Sequence, residues 1–235
     1  MKTSIIVPTY KHNPAGCFEA IKRNTDLADM EVVVVANGAP DSTMELVRLM
    51  GDPFRLIISP SPLGYTKAVN VGVMAAHGEK VILMNDDLVV LDWWRKHDWV
   101  RALEAPFSDP SVVVTGAMKD RWSKDQYFLV FFLVMLRKDK MIELGLLDEA
   151  FSPGCGEDTD FCLKAQNAGY KIVQVPKDMD HWKTEMPIWH AGHATISQCP
   201  EFEEVGKRNQ KLLEQRYPRA KDDVAMATAF APKGG

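Results

Sequence analysis

Short runs of β-branched and apolar residues alternate, over the first third of the chain, with longer stretches of helical apolar spacing, and this alternation constrains the fold more than any other feature. Thr3–Val7, Glu31–Val35, Phe54–Ser59 and Lys80–Met84 have the length and composition of strands. Segments such as Ala15–Leu27 place their apolar residues along one helical face. Strand, helix, strand in this rhythm predicts βαβ units, hence an α/β domain on a mostly parallel central sheet flanked by helices. Asp41-Ser42-Thr43 ahead of Met44-Glu45-Leu46-Val47 predicts a helix start with Ser42 or Asp41 as its cap, and Gly51-Asp52-Pro53 its end. Residues 64–78 form one predicted helix with a glycine at its C-terminal boundary. Gly72 inside it is either a close contact with a strand or part of a face that meets a ligand.

After residue 91 the regularity falls. Val112–Thr115 and Phe128–Leu136 are predicted strands, Asp158–Ala168 a helix closed by Gly169, and Lys171–Val175 a further strand. From Asp178 the chain is polar and rich in His and Trp, with a last helix over about Glu201–Arg216. The tail beyond Asp223 is expected to be mobile.

With 235 residues, 46% of them hydrophobic, the chain can build the core of one sizeable domain. A formal net charge of −4 lacks the concentrated basic surface of nucleic-acid binders, so no nucleic acid partner is expected. Cys17, Cys155, Cys162 and Cys199 form no CxxC pair, which argues against a zinc knuckle or a disulfide framework and for a reducing, cytoplasmic compartment. Met1-Lys2-Thr3 runs straight into Ser4-Ile5-Ile6-Val7-Pro8 without an export signal. The most apolar window, Tyr127–Leu136, is about ten residues, short of the roughly 20 that a membrane helix needs, and reads as a buried strand. A peripheral membrane contact elsewhere stays open.

The chemistry concentrates at strand ends. Asn85-Asp86-Asp87 sits between the apolar segments Val81–Met84 and Leu88–Val90. Carboxylates at the edge of a core lose solvation and need a cation or donor, so this pair is a candidate metal or ligand site, with a solvated loop leading to a cap at Asp92 as the plainer reading. The first strand ends in Val7-Pro8-Thr9-Tyr10, where open α/β sheets bind ligands. Neither GxGxxG nor GxxxxGK[ST] follows it, which argues against a dinucleotide dehydrogenase or a Walker-type ATPase. Ala36-Asn37-Gly38-Ala39-Pro40-Asp41 presents Asn37 and Asp41 to the same crevice, or is a turn and a helix cap. Glu157, Asp158 and Asp160 open a helix, where the macrodipole favours acids; aimed at the crevice, Glu157 or Asp158 has the chemistry of a general base. His181, His190 and His193 are candidate partners for a divalent cation.

Taken in order, Ile5–Tyr10, Val34–Thr43, Gly64-Tyr65 with Asn70-Val71-Gly72, Leu83–Val90, and Gly145–Phe151 with Gly156–Leu163 and Ala168-Gly169-Tyr170 resemble the family 2 glycosyltransferases of GT-A fold, over about residues 3–195. The Leu-Met-Asn-Asp-Asp form is most similar to the rhamnosyltransferase-like branch. The resemblance implies a single domain over residues 1–222, with a nucleotide-binding half to about 91 and an acceptor-binding half from about 92 to 222. It implies that Pro8, Thr9 and Tyr10 line the nucleotide pocket, that Asp87 holds Mn2+ or Mg2+ bridging the diphosphate of a nucleoside-diphosphate sugar, and that Asp86 faces the ribose or donor sugar with Asn85 beside it. Asn70 would border the nucleotide and Lys67 reach a phosphate. Asp158 matches the catalytic base with Glu157 next to it, and His190 best matches the late histidine at the metal or diphosphate, with His181 and His193 competing.

Where the family usually has an acid that binds the base, this chain has Ala36, which leaves that contact to Asn37, Asp41 or backbone groups. The implied reaction is inverting hexosyl or deoxyhexosyl transfer to a glycan, lipid-linked or protein acceptor, as in polysaccharide biosynthesis. Lys119–Gln126 and Asp178–His193, with Trp122, Trp182 and Trp189, are the segments expected to meet that acceptor, although core packing serves these tryptophans equally well. A non-catalytic sugar-nucleotide-binding module and, more weakly, a nucleotidyltransferase are the alternatives.

Overall fold

The four Val- and Ile-rich runs form the strands β1 (Thr3–Thr9), β2 (Met30–Asn37), β3 (Phe54–Ser59) and β4 (Lys80–Met84), joined by α1 (Ala15–Asn24), α2 (Asp41–Met50) and α3 (Tyr65–Ala75). This computed structural model describes residues 2–92, 98–175, 186–191 and 201–219. The expectations for His181, His193, Trp182, Cys199 and the tail beyond Asp223 lie outside those residues, as does the segment that Asp92 was to cap. β1 and β2 are buried at every position, the mark of central parallel strands covered on both faces.

The chain continues through β5 (Leu88–Val90), α4 (Asp98–Glu104), β6 (Val112–Gly116), β7 (Lys119–Arg121), β8 (Tyr127–Leu129), β9 (Leu133–Arg137), α5 (Lys138–Glu143), α6 (Glu157–Asn167), β10 (Lys171–Gln174), β11 (Ile188–His190) and α7 (Phe202–Arg216). Seven strands form the main sheet in the order β10-β6-β9-β4-β1-β2-β3. All neighbours are parallel except β9, which runs antiparallel to both β4 and β6.

The apolar run over Tyr127–Leu136 is therefore two strands instead of one. β8 pairs with β7 in a small hairpin, and after Val130-Phe131-Phe132 the chain enters the main sheet as β9. Both halves are apolar because both are covered, so hydrophobicity alone does not mark the change of partner. A second correction concerns α2: its N-cap is Pro40, with no side-chain cap hydrogen bond, and Asp41 is the first helical residue, where its charge meets the positive end of the helix.

Helices cover both faces of the sheet. One layer brings Phe18 and Ile21 of α1, Val47 of α2, and Trp99 and Leu103 of α4 onto the strands. The other brings Ala68, Val69 and Val73 of α3, Met141 of α5, and Phe161 and Ala165 of α6. Trp122 belongs to a third cluster with Phe151, Leu163 and Leu213, beneath the Arg219 guanidinium at 4.2 Å from its ring centroid, which makes it a packing residue. No helix among the described residues is long and apolar enough to cross a membrane.

At the amino end of the sheet the buried Glu31 carboxylate accepts hydrogen bonds from Ser4 Oγ (2.7 Å), the His77 amide (2.6 Å) and Arg55 Nε (3.1 Å). Burial pushes its pKa up, but those donors outweigh burial and bring it down to about 2. Gly72 proves to be a packing glycine. A Cβ there would lie 2.4 Å from Ile6 Cγ2 of β1 and 3.1 Å from Val35 Cγ2 of β2. Gly72→Ala should therefore push α3 off the sheet and destabilise the protein by about 1–3 kcal/mol in chemical denaturation, the usual cost of overpacking; an unchanged midpoint would contradict this contact.

Candidate active site

From β1 the chain winds outward through β2 and β3, then crosses back to β4 on the other side of β1. Such a reversal opens a crevice at the carboxyl ends of the two adjoining strands. Thr9-Tyr10 and Asn85-Asp86-Asp87 emerge there. Asp86 and Asp87 are only 5% and 7% exposed, so neither carboxylate is solvated by bulk water. The Tyr10 amide donates to the Asp86 carboxylate, and His12 Nδ1 lies 3.7 Å from Asp86 Oδ1, whereas Asp86 Oδ2 has no hydrogen-bond partner among the described residues. Burial, and then the neighbouring Asp87 charge, raise Asp86 to about 7.

Asp87 is reached from the far end of the chain. β11 pairs antiparallel with β5, setting His190 opposite Leu88, and the Ala191 amide donates to the Asp87 carbonyl at 3.2 Å. This register brings His190 Nε2 to 3.1 Å from Asp87 Oδ1. The imidazole stacks on the Phe132 ring, with centroids 4.6 Å apart and planes 16° from parallel.

The second acidic group forms the start of α6. Asp158 Oδ1 accepts from the Thr159 amide (2.7 Å) and Thr159 Oγ1 (3.3 Å), and the Asp158 carboxylate also accepts from the Phe131 amide. Glu157 is 7% exposed, with Oε2 lacking a partner among the described residues. Burial, and then the Asp158 charge, raise Glu157 to about 8; burial raises Asp158 as well.

Phe131-Phe132 links the two groups. The Phe131 amide meets Asp158, and its carbonyl accepts from the Tyr65 hydroxyl at 2.9 Å. The Phe132 carbonyl accepts from the Asn85 amide at 3.0 Å, while its ring carries His190. Tyr65 is a site residue that sequence reading placed only within a motif. Burial first, then the charges of Glu157, Asp158 and Asp87, drive its hydroxyl well above the ordinary range, so it lies within electrostatic reach of both acidic groups. His12 was missed altogether. Its one signal in the sequence is its place two residues beyond Tyr10 on the loop leaving β1.

The remaining predicted residues divide. Pro8 and Thr9 end β1, and Thr9 Oγ1 is buried without a partner among the described residues, free to meet a ligand; Tyr10 is half-buried. Asn37 Oδ1 is taken by the Leu63 amide (2.6 Å), which fixes the loop before α3. Asn70 Nδ2 donates to the Leu147 carbonyl (2.8 Å) and its Oδ1 accepts from the Leu147 amide (3.1 Å), so it braces the segment before α6. Lys67 pairs with Glu149 at 3.5 Å, both well exposed, and Asp41 is exposed on α2. Asn85 contributes its backbone to the turn, with its carbonyl accepting from the Leu88 amide.

Of the two segments expected to meet the acceptor, residues 119–126 belong to the β7–β8 hairpin, and only 186–191 of residues 178–193 are among those described. Gln126, at the turn of the β7–β8 hairpin, bonds Asn167 at the C-terminal end of α6, about 13.5 Å of helical rise from Asp158. Trp189, 54% exposed, lies on the face of β11 opposite to that of His190.

The mostly parallel sheet with its reversed strand and its acids at the carboxyl ends is the GT-A fold. The mannosyltransferase PcManGT from Pyrobaculum calidifontis, in complex with GDP-Man and Mn2+, is similar over 76% of this chain and 55% of its own, with TM-score 0.61 and 21% identity. GalNAc-T7 with UDP, GalNAc and Mn2+ is similar over 92% of this chain and 51% of its own, with TM-score 0.65 and 15% identity. At such identities the likeness concerns the fold.

In sequence, residues 4–155 match the model described as glycosyl transferase family 2, and the chain belongs to that family. Among curated relatives, the uncharacterised glycosyltransferase YwdF of Bacillus subtilis (strain 168) is 36% identical over 90 residues, 37% of this chain and 33% of YwdF. The uncharacterised protein y4gI of Sinorhizobium fredii is 31% identical over 120 residues, 48% of this chain and 13% of y4gI. The chain thus spans a third or less of these relatives' lengths.

Glu157 supplies a test of the site that needs no substrate. Its folded pKa of about 8 lies above the unfolded value of about 4.3, so the folded state binds more protons between them and stability falls as pH rises through that window. Glu157→Gln should flatten this loss in thermal melts between pH 5 and 9; an identical pH dependence in the variant would place Glu157 in solvent.

Proposed function

We propose that this chain transfers a sugar from a nucleoside-diphosphate sugar to an acceptor hydroxyl, with inversion at the anomeric carbon and dependence on a divalent cation. One observation carries the reading: two pairs of acids, Asp86-Asp87 and Glu157-Asp158, are joined by Phe131-Phe132 and Tyr65, and Asp86 Oδ2 and Glu157 Oε2 are buried without a partner among the described residues. A transferase needs this division, because one group must hold the leaving diphosphate while the other prepares the attacking hydroxyl.

On the leaving-group side, Asp87 and His190 would hold the cation. The donors fit: a buried carboxylate and an imidazole 3.1 Å apart suit Mn2+, and the oxygens alone suit Mg2+. Among the described residues no group of three or more His, Cys, Asp and Glu could hold an ion unaided, which agrees with a cation shared with substrate phosphates. When bound, such a cation supplies positive charge where the diphosphate departs. The GDP-Man and Mn2+ bound by PcManGT, and the UDP, GalNAc and Mn2+ bound by GalNAc-T7, support the same donor class.

Asp86 would meet the ribose or donor sugar. Thr9 stands opposite Ala36 in the β1–β2 register, and its unpaired hydroxyl takes up the base contact that Ala36 lacks. Tyr10 closes that wall.

On the attacking side, Asp158 accepts the proton of the acceptor hydroxyl. Burial raises its pKa, which makes it a stronger base than a solvated carboxylate, and Glu157 beside it shares in the titration. Residues to about 91 make up the donor half and those from about 92 to 222 the acceptor half, with His190 returning to complete the donor side. The acceptor is a hydroxyl on a glycan, a lipid-linked saccharide or a protein.

Assayed against a panel of UDP- and GDP-sugars with Mn2+, Asp158→Asn should lower turnover by roughly 10²- to 10⁴-fold while donor binding persists. Turnover close to wild type would remove Asp158 from the role. Asp87→Ala should abolish the Mn2+-dependent part of nucleotide affinity in calorimetry; unchanged affinity counts against the cation site. Binding of sugar nucleotides with neither hydrolysis nor transfer would instead make the protein a binding module, the reading that Ala36 favours.

A further inference from the structure

α7 follows the undescribed residues 192–200 and lies beyond the matched region 4–155. It is a polar helix whose buried residues are Asn209 and Leu213. An amide 1% exposed on a helix is costly unless it is bonded, and Asn209 is bonded in an unusual way. Its Nδ2 lies within hydrogen-bond distance of three carbonyls of one segment: Phe151 (3.0 Å), Gly154 (2.9 Å) and Cys155 (2.7 Å). Its Oδ1 accepts from Arg208 Nε (2.9 Å), and Arg208 Nη2 donates to the Ser152 carbonyl (2.5 Å).

This segment leads directly into Glu157 and Asp158. Its last two residues are both left-handed, Cys155 at φ 74° and Gly156 at φ 93°, and a non-glycine residue there must be held by its surroundings. Leu213 Cδ1 packs where a Gly156 Cβ would stand, at 3.0 Å. On the opposite side the Pro153 carbonyl accepts from the Tyr65 amide at 2.6 Å, tying the segment to α3. Further along α7, Arg216 reaches Asp160 (2.8 Å) and Asp148 (2.7 Å), fixing the body of α6. The segment therefore has two walls, and Asn209 is the polar centre of one of them.

We propose that Asn209 is a positioning residue: by gathering the carbonyls of residues 151–155 it sets the left-handed turn that aims Asp158 into the crevice. This rests on the reading of Asp158 as the base. The idea predicts a loss in turnover without a loss in donor binding, because the α7 contacts described above fall on residues 148–160.

The test compares Asn209→Ala with Val47→Ala, a core truncation on α2 away from the crevice, in the full chain. The readouts are thermal stability, kcat and donor KM on UDP- and GDP-sugars with Mn2+, and amide exchange over residues 154–158. Asn209→Ala should lower kcat about 10- to 100-fold, the scale for misplacing a catalytic group, with donor KM changed less than about threefold and faster exchange at 154–158. Val47→Ala should lose stability but keep its kcat. Asn209→His, whose Nδ1–H falls near the Asn amide nitrogen, should recover part of kcat, and it stands in if the alanine variant does not fold. An unchanged kcat in Asn209→Ala, or an equal kcat loss in Val47→Ala at matched stability, overturns the proposal. If the wild type acts on no sugar nucleotide, the functional reading fails by itself; the exchange measurement then still decides the clamp, and unchanged protection at 154–158 overturns it.

Discussion

The site depends on β9 running antiparallel between β4 and β6. A parallel sheet presents only carboxyl ends to its ligand crevice, and each leads into its own loop. An antiparallel strand presents its amino end there, so Leu133 pairs with Met84 at the carboxyl end of β4 and Phe131-Phe132 lie just outside it. With β9 parallel, Arg137 would stand in their place. Because it is reversed, one dipeptide bonds Asn85 beside Asp86-Asp87, Asp158 at the start of α6 and Tyr65 of α3, and carries the His190 ring. Both acidic groups are thereby tied to the backbone of one dipeptide, through the Asn85 amide on one side and the Asp158 carboxylate on the other.

The two ends of the sheet treat carboxylates in opposite ways. Glu31, at the amino end, collects enough donors to overcome its burial, and its pKa falls. Asp86 and Glu157, at the carboxyl end, are equally buried but under-bonded, and theirs rise. The first arrangement stabilises the fold; the second leaves carboxyl groups short of donors, so that burial favours their protonated form.

Much of this was legible in the residues. β3 and β4 end where composition places them, because each is bounded by turn-forming residues and its apolar content is continuous. The acids at Asp86, Asp87, Glu157 and Asp158 stood out, since carboxylates beside apolar runs have no cheap structural explanation. Other positions were opaque for physical reasons. Nothing local shows that the Asn70 side chain bonds Leu147, 77 residues further along the chain, so its bracing of the segment before α6 was not legible. Trp122 and Trp189 have the same composition signal, yet one is core and the other lies on the outer face of a ribbon.

By itself the sequence determined the alternation of strands and helices, the parallel sheet, and which carboxylates are placed at strand and helix ends, because these follow from periodicity and from the cost of burying charge. Tertiary structure alone decided which of them meet. The partner change at Val130–Phe132, the pairing of β11 with β5 that brings His190 to Asp87, and the return of α7 over residues 151–156 join residues far apart in the chain. Such contacts depend on strand register and helix docking, which are settled by packing over the whole domain and leave no trace in any local window of residues.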